Sequence, residues 1–189
     1  IGNVDVGGMT EDEAKTAVSS YVDSLMDTTF TLKGESGSIE MTAADMGVTA
    51  DVDTAVTEAL AVGRAGSLIN RYKTTQDLKK NKLVLDMHLS VDKQETAQKL
   101  YSNSGKLSVE AVDNGLKREN GEFVYVPGKE GVEVDIVNSV YAINDFLADG
   151  WDGSDNEIAL VTEVVEPRGT EEELAEVKDL LGSYSTDFS

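Results

Sequence analysis

The chain contains no cysteine, which excludes both a disulfide framework and thiolate chemistry and suits an extracytoplasmic bacterial protein. Histidine is nearly absent as well. His88 is the only one, so no two-histidine metal site can be built, and a Ser-His-Asp set is not supported. On an alternating stretch His88 reads as a solvated or partner-facing residue. Basic side chains are scarce: 16 against 36 acidic ones, for a formal net charge of -20. That charge excludes nucleic acid, whose phosphates need a basic face, and it argues against adsorption to anionic lipid. No apolar run approaches the about 18 residues of a membrane span, and no signal peptide is visible. An export or anchor segment is expected N-terminal to the sequence. What remains is 189 residues at 40% hydrophobic, enough for one ordinary core or two small ones.

The organising feature is a corner used twice. Residues 121–147 run from an alternating strand through a Pro-Gly turn to Gly131, Val132 and Asp135, and then into an amphipathic helix. Residues 38–60 repeat that order with Gly47, Val48 and Asp51. A corner at fixed offsets in two places predicts a duplicated unit.

Local signals fill in the elements. Thr10 with Glu13 forms a capping box, followed by Ala14, Ala17, Val18, Tyr21, Val22 and Leu25 on one helical face. Phe30 and Leu32 alternate in a strand, and residues 34–37 make a hairpin loop to a return strand carrying Ile39 and Met41. Asp51 opens a helix ending near Gly63. Residues 83–89 alternate and predict a strand, residues 92–101 a short helix stopping at residues 103–105, and residues 107–111 a further strand. Asn120-Gly121 is the strongest hairpin signal. Asp135 caps a helix with Val140, Ile143 and Leu147 inward. Residues 158–165 predict one strong strand ended by Pro167, and Thr170 with Glu173 repeats the capping box ahead of Leu174, Val177 and Leu181. Gly182 should stop that helix before a tail over residues 183–189.

The expected fold is α+β: two related sheet-plus-helix units, mostly antiparallel, with helices packed on one face. The boundaries are residues 1–66 for the first unit, 67–82 for a connector that is also the only basic patch, and 83–166 for the second unit. Residues 167–189 supply a helix and linker.

No catalytic constellation emerges, so the chain reads as non-enzymatic and without cofactor or metal. The acids at 171–173 suit a helix start better than catalysis. The acidic loop over residues 149–157 places its aspartates three apart, where a calcium loop needs ligands two apart, and reads as a surface turn. Trp151 in that loop and Tyr125 could stack on sugar rings, though Tyr125 alternates in a sheet and suits a core better. Arg64 could hold a ligand carboxylate, or simply follow Gly63 at a helix end.

Four motif groups carry a family resemblance. They are Val4 to Thr10 with Glu13 and Ala14; Ala43, Ala44, Asp45, Met46, Gly47 and Val48 with Asp51, Ala59, Gly63 and Arg64; Val126 to Gly131 with Asp135; and Pro167 with Thr170, Glu171 and Glu172. Together they resemble cell-envelope proteins carrying a peptidoglycan-binding domain, usually duplicated and of mixed α/β structure. Leu181 and residues 182–188 resemble the linker that enters a VanW domain. The resemblance implies peptidoglycan as partner, a Gram-positive-type cell-wall location, an N-terminal membrane anchor, and a downstream VanW domain in preference to an L,D-transpeptidase. It carries no fixed ligand residues. A structural spacer that binds no glycan would use the same turns and caps.

Overall fold

The computed structural model describes residues 1–181, with side chains through residue 177. The first helix, α1 (Glu11–Leu25), starts where its capping box predicts. The Thr10 amide donates to the Glu13 carboxylate at 2.8 Å, and the Glu13 amide donates to the Thr10 hydroxyl at 3.4 Å. Ala14, Val18, Val22 and Leu25 bury its inner face. The hairpin β1 (Thr29–Lys33) and β2 (Ser38–Thr42) follows, with Phe30 opposite Met41 and Leu32 opposite Ile39. All four of those side chains are buried, as strict alternation requires of a sheet with one face on the core.

Both corners form. The strand β3 (Thr49–Ala50) enters α2 (Val52–Ala61), and β7 (Gly131–Val134) enters α5 (Ile136–Ala148). Asp51 caps α2 by accepting from the Thr54 amide at 3.0 Å, and Asp135 caps α5 by accepting from the Asn138 amide at 3.0 Å. Those backbone bonds hold both carboxyls below their ordinary range. Each corner glycine abuts a neighbouring chain segment. A Cβ on Gly47 would stand 2.7 Å from Cβ of Asp92, and one on Gly131 would stand 2.6 Å from the Val109 carbonyl oxygen.

Each corner strand pairs antiparallel with a strand later in the chain. β3 pairs with β4 (Leu89–Ser90), which enters α4 (Lys93–Leu107); β7 pairs with β9 (Thr162–Val165), which precedes α6 (Glu171–Leu181). Between α4 and β7 lies the hairpin β5 (Gly115–Glu119) and β6 (Glu122–Val126). Its two-residue turn puts Asn120 at φ 51° and Gly121 at φ 93°, the left-handed pair that type I′ geometry needs. Helices α1 and α2 pack together, as do α4 and α5. The chain is α+β, with small antiparallel sheets and helices around a shared core.

Five segments depart from the sequence expectation, each for a physical reason. The lead at residues 3–6 is not a strand, because Asp5 accepts from the Gly7 amide and turns the chain. The connector contains a helix, α3 (Leu68–Leu78), capped by Ser67; none of its residues is buried, so it shows no apolar period. Residues 83–88 are not a strand either. Asp86 accepts from the His88 amide at 3.0 Å and His88 adopts φ 53°, which breaks the extended run before β4. Helix α4 continues past residue 105 because Leu107, fully buried, draws the last turn inward, and residues 108–112 then contribute only isolated bridges to Val132 and Lys129.

The strand expected at 158–165 is two strands on different sheets. β8 (Glu157–Ala159) runs parallel to β1, making the order β2-β1-β8, whereas β9 pairs with β7. The switch is held by Ser139, buried on α5. Its hydroxyl accepts from the Val161 amide at 2.9 Å and donates to the Val161 carbonyl at 3.2 Å. The capping box at α6 forms as expected, with bonds of 2.9 and 3.2 Å between Thr170 and Glu173. The expectations for Leu181's side chain, the stop at Gly182 and the tail and linker over residues 183–189 lie outside the described residues.

Candidate functional site

A groove with an apolar floor lies where the irregular run before β4 meets the end of α5 and the loop after it. It encloses about 390 Å³ and is lined by Gly2, Asn3, residues 84–87, Leu89, and residues 147–152. That volume falls within the roughly 300–1,000 Å³ of small-molecule sites. Met87, Leu89 and Leu147 are buried at its floor, and Trp151 is half-buried at its wall.

Trp151 is placed by two contacts. Its indole N–H donates to the Asp155 carbonyl at 2.7 Å, and its ring packs on Phe30 at 5.1 Å between centroids, tilted by 49°. Asn3 ties the lead segment to this loop, since its amide donates to the Asp152 carbonyl at 2.9 Å and to the Tyr21 hydroxyl at 3.1 Å. The Gly2 amide donates to the Leu85 carbonyl at 2.7 Å. The described lining carries three carboxylates, from Asp86, Asp149 and Asp152, and no cationic side chain. Hydrogen bonds from Ser154 hold the Asp152 carboxyl below its ordinary range, so it is charged at neutral pH.

A second depression of about 400 Å³ lies between Ala44, Asp45 and α4. There Lys99 and Asp45 satisfy each other at 2.8 Å, and that bond, with those from Thr42, lowers the Asp45 carboxyl to about 2. It has no aromatic wall, and its one cation is already paired with Asp45.

The three residues singled out in the sequence occupy separate places. Trp151 lines the groove, and Tyr125 and Arg64 do not. Tyr125, half-buried on β6, donates its hydroxyl to Asn114 Oδ1 at 2.7 Å, the atom that also accepts from the Gly128 amide. It therefore anchors the base of its hairpin. Arg64 is exposed past the end of α2 and forms no ion pair among the described residues. Asn3, Asp86 and Met87 escaped the sequence reading as groove residues. The one available signal was an Asp two residues ahead of His88, a turn-forming pattern.

In the acidic loop, Asp152 and Asp155 each accept a backbone amide two residues on, at 2.9 Å, as turn carboxylates do. Among the described residues no group of three or more His, Asp or Glu side chains could hold a metal ion, and no helix is long and apolar enough to cross a membrane.

His88 has a structural task. Its Nε2 lies 3.0 Å from a Glu58 carboxylate oxygen on α2. That hydrogen bond, with the charges of Glu58, Asp86 and Asp51, raises its pKa. A raised pKa stabilises the fold fully below the unfolded value of about 6.5, and the contribution is lost as pH rises through the folded value. The melting temperature should therefore fall between mildly acidic and mildly alkaline buffer, by more in the wild type than in His88→Asn. Asparagine tolerates the left-handed backbone, so equal slopes in paired calorimetric scans would refute the ion pair.

A family model described as "putative peptidoglycan binding domain" matches residues 39–153, which include most of the groove. No curated protein and no solved structure matches the chain.

Proposed function

The chain belongs to this peptidoglycan-binding family, and from that premise we propose that it is a non-catalytic, extracytoplasmic module that holds a downstream domain at the cell wall. The family is one of binding, not catalysis. The observation that carries the reading is the groove at Trp151, where an aromatic wall stands over an apolar floor beside hydrogen-bonding groups. Such a site suits the apolar face of a sugar ring, with polar groups placed to orient it. Its carboxylates suit the amino groups of stem peptides and repel phosphate-rich teichoic chains. Tyr125 and Arg64 serve as outlying contacts along an extended polymer, with Arg64 facing stem-peptide carboxylates.

In this proposal residues 1–66 and 83–166 are duplicated units joined by residues 67–82. The support is the shared order of helix, hairpin, corner strand and capped helix, in α1-β1-β2-β3-α2 and α4-β5-β6-β7-α5. Residues 167–189 lead to a VanW-type domain, and a membrane anchor precedes the chain. One observation favours the alternative of a spacer without glycan binding: Trp151 is already engaged by Phe30 and Asp155.

Co-sedimentation with insoluble peptidoglycan stripped of teichoic acid decides between them. Pelleting should saturate, and Trp151→Ala should weaken it by about tenfold or more, a usual loss for an aromatic anchor. Val84→Arg, at an exposed lip of the groove, should weaken binding comparably while leaving the melting temperature near wild type. Absence of pelleting, or pelleting indifferent to both changes, would leave the spacer.

A further inference from the structure

The helix α3 (Leu68–Leu78) contradicts the character of the chain around it. Residues 64–82 hold six cations, Arg64, Arg71, Lys73, Lys79, Lys80 and Lys82, against one carboxylate, Asp77. The other residues hold 10 basic and 35 acidic side chains. Leu68 and Tyr72, four apart, share a helical face with neighbouring Ile69, and the three are 81%, 67% and 69% exposed. No residue of α3 is buried. A helix of this length gains little stability in water without a packed face, and here Leu68, Ile69 and Tyr72 stand mostly in water.

We propose that α3 is a membrane-surface contact that lies on a bilayer of anionic phospholipid. Leu68, Ile69 and Tyr72 enter the boundary between headgroups and acyl chains, and the five cations from Arg71 to Lys82 meet lipid phosphates. An apolar face bordered by Lys and Arg is the pattern of interfacial helices, and juxtamembrane basic clusters are drawn to anionic leaflets. Two other occupants account for less. A soluble polyanion would engage the cations and leave Leu68 and Ile69 in water. A protein partner would cover the apolar face but has no need of six cations against one acid.

The acidic body does not prevent the contact. Charges more than about 8–10 Å apart are largely screened at physiological salt, so a locally basic helix can touch a surface from which the body is repelled. The contact is thereby confined to α3 and the basic residues beside it. The inference is independent of glycan binding and stands or falls separately.

The test is flotation of the whole 189-residue chain with vesicles of phosphatidylcholine alone and of phosphatidylcholine with a third phosphatidylglycerol, at low and physiological salt. Flotation is expected only with the anionic vesicles and should weaken as salt rises. The double change Leu68→Ser with Ile69→Ser should reduce it about tenfold or more, as should Lys79→Glu with Lys80→Glu. All four positions are exposed, and circular dichroism should show the fold unchanged. No flotation with anionic vesicles, or flotation insensitive to both double changes, would overturn the proposal. So would retention of soluble teichoic acid, unaffected by loss of Leu68 and Ile69, in place of vesicle binding.

Discussion

Phe30→Ala should destabilise the fold by about 3–5 kcal/mol, the range for deleting a buried phenylalanine ring. Phe30 is fully buried in the middle strand of the sheet β2-β1-β8, so no surface shift can refill its volume. Against the roughly 5–15 kcal/mol available to an ordinary domain, that is about a fifth of the stability or more. The ring is also what Trp151 packs on. The emission of Trp151, the only tryptophan, should therefore move to longer wavelength even in variant that remains folded. Urea unfolding followed by far-ultraviolet circular dichroism gives the energy, and emission gives the groove. A cost under about 1 kcal/mol would place Phe30 at a site that collapses freely, contrary to its position here.

Gly128→Ala should be nearly as damaging for a different reason. An added Cβ would stand on the Val112 carbonyl oxygen and 2.8 Å from the Asp113 carbonyl carbon. These are backbone atoms, so no rotamer change relieves the clash. They belong to the paired bridge in which Val112 and Lys129 exchange amide-to-carbonyl bonds of 2.9 and 2.8 Å. The loss should be about 2–3 kcal/mol, the upper range of overpacking. Gly105→Ala makes the matched control. It sits in α4 with nothing within 4 Å of its would-be Cβ, and alanine is the better helix former there by about 0.5–1 kcal/mol. Denaturation midpoints should thus move in opposite directions for the same chemical change.

The parts of the fold that the sequence makes legible are those settled within a few residues. Thr10 with Glu13, Thr170 with Glu173, and the caps Asp51 and Asp135 all depend on bonds spanning three positions. The Asn120-Gly121 turn depends on two backbone angles. What stays hidden depends on distant partners. The break between β8 and β9 is set by Lys33, whose carbonyl accepts from the Leu160 amide, and by Ser139, neither visible from residues 158–165. Helix α3 leaves no periodic trace because it buries nothing. The groove follows the same rule. Trp151 is conspicuous as the single tryptophan, but Asn3 reaches its loop across 149 positions and Met87 joins it through a turn that interrupts an alternating pattern.

The measurement that bears most directly on the central claim uses Trp151 as its own reporter. Soluble peptidoglycan fragments would be titrated into the chain while tryptophan emission is followed, with pelleting on insoluble peptidoglycan measured in parallel. Because Trp151 lines the groove and is the sole tryptophan, its signal reports that site. The account predicts a saturable change in emission, lost in Val84→Arg. Strong pelleting with no change in Trp151 emission at any fragment concentration would contradict it, and would put the wall-binding surface somewhere other than this groove.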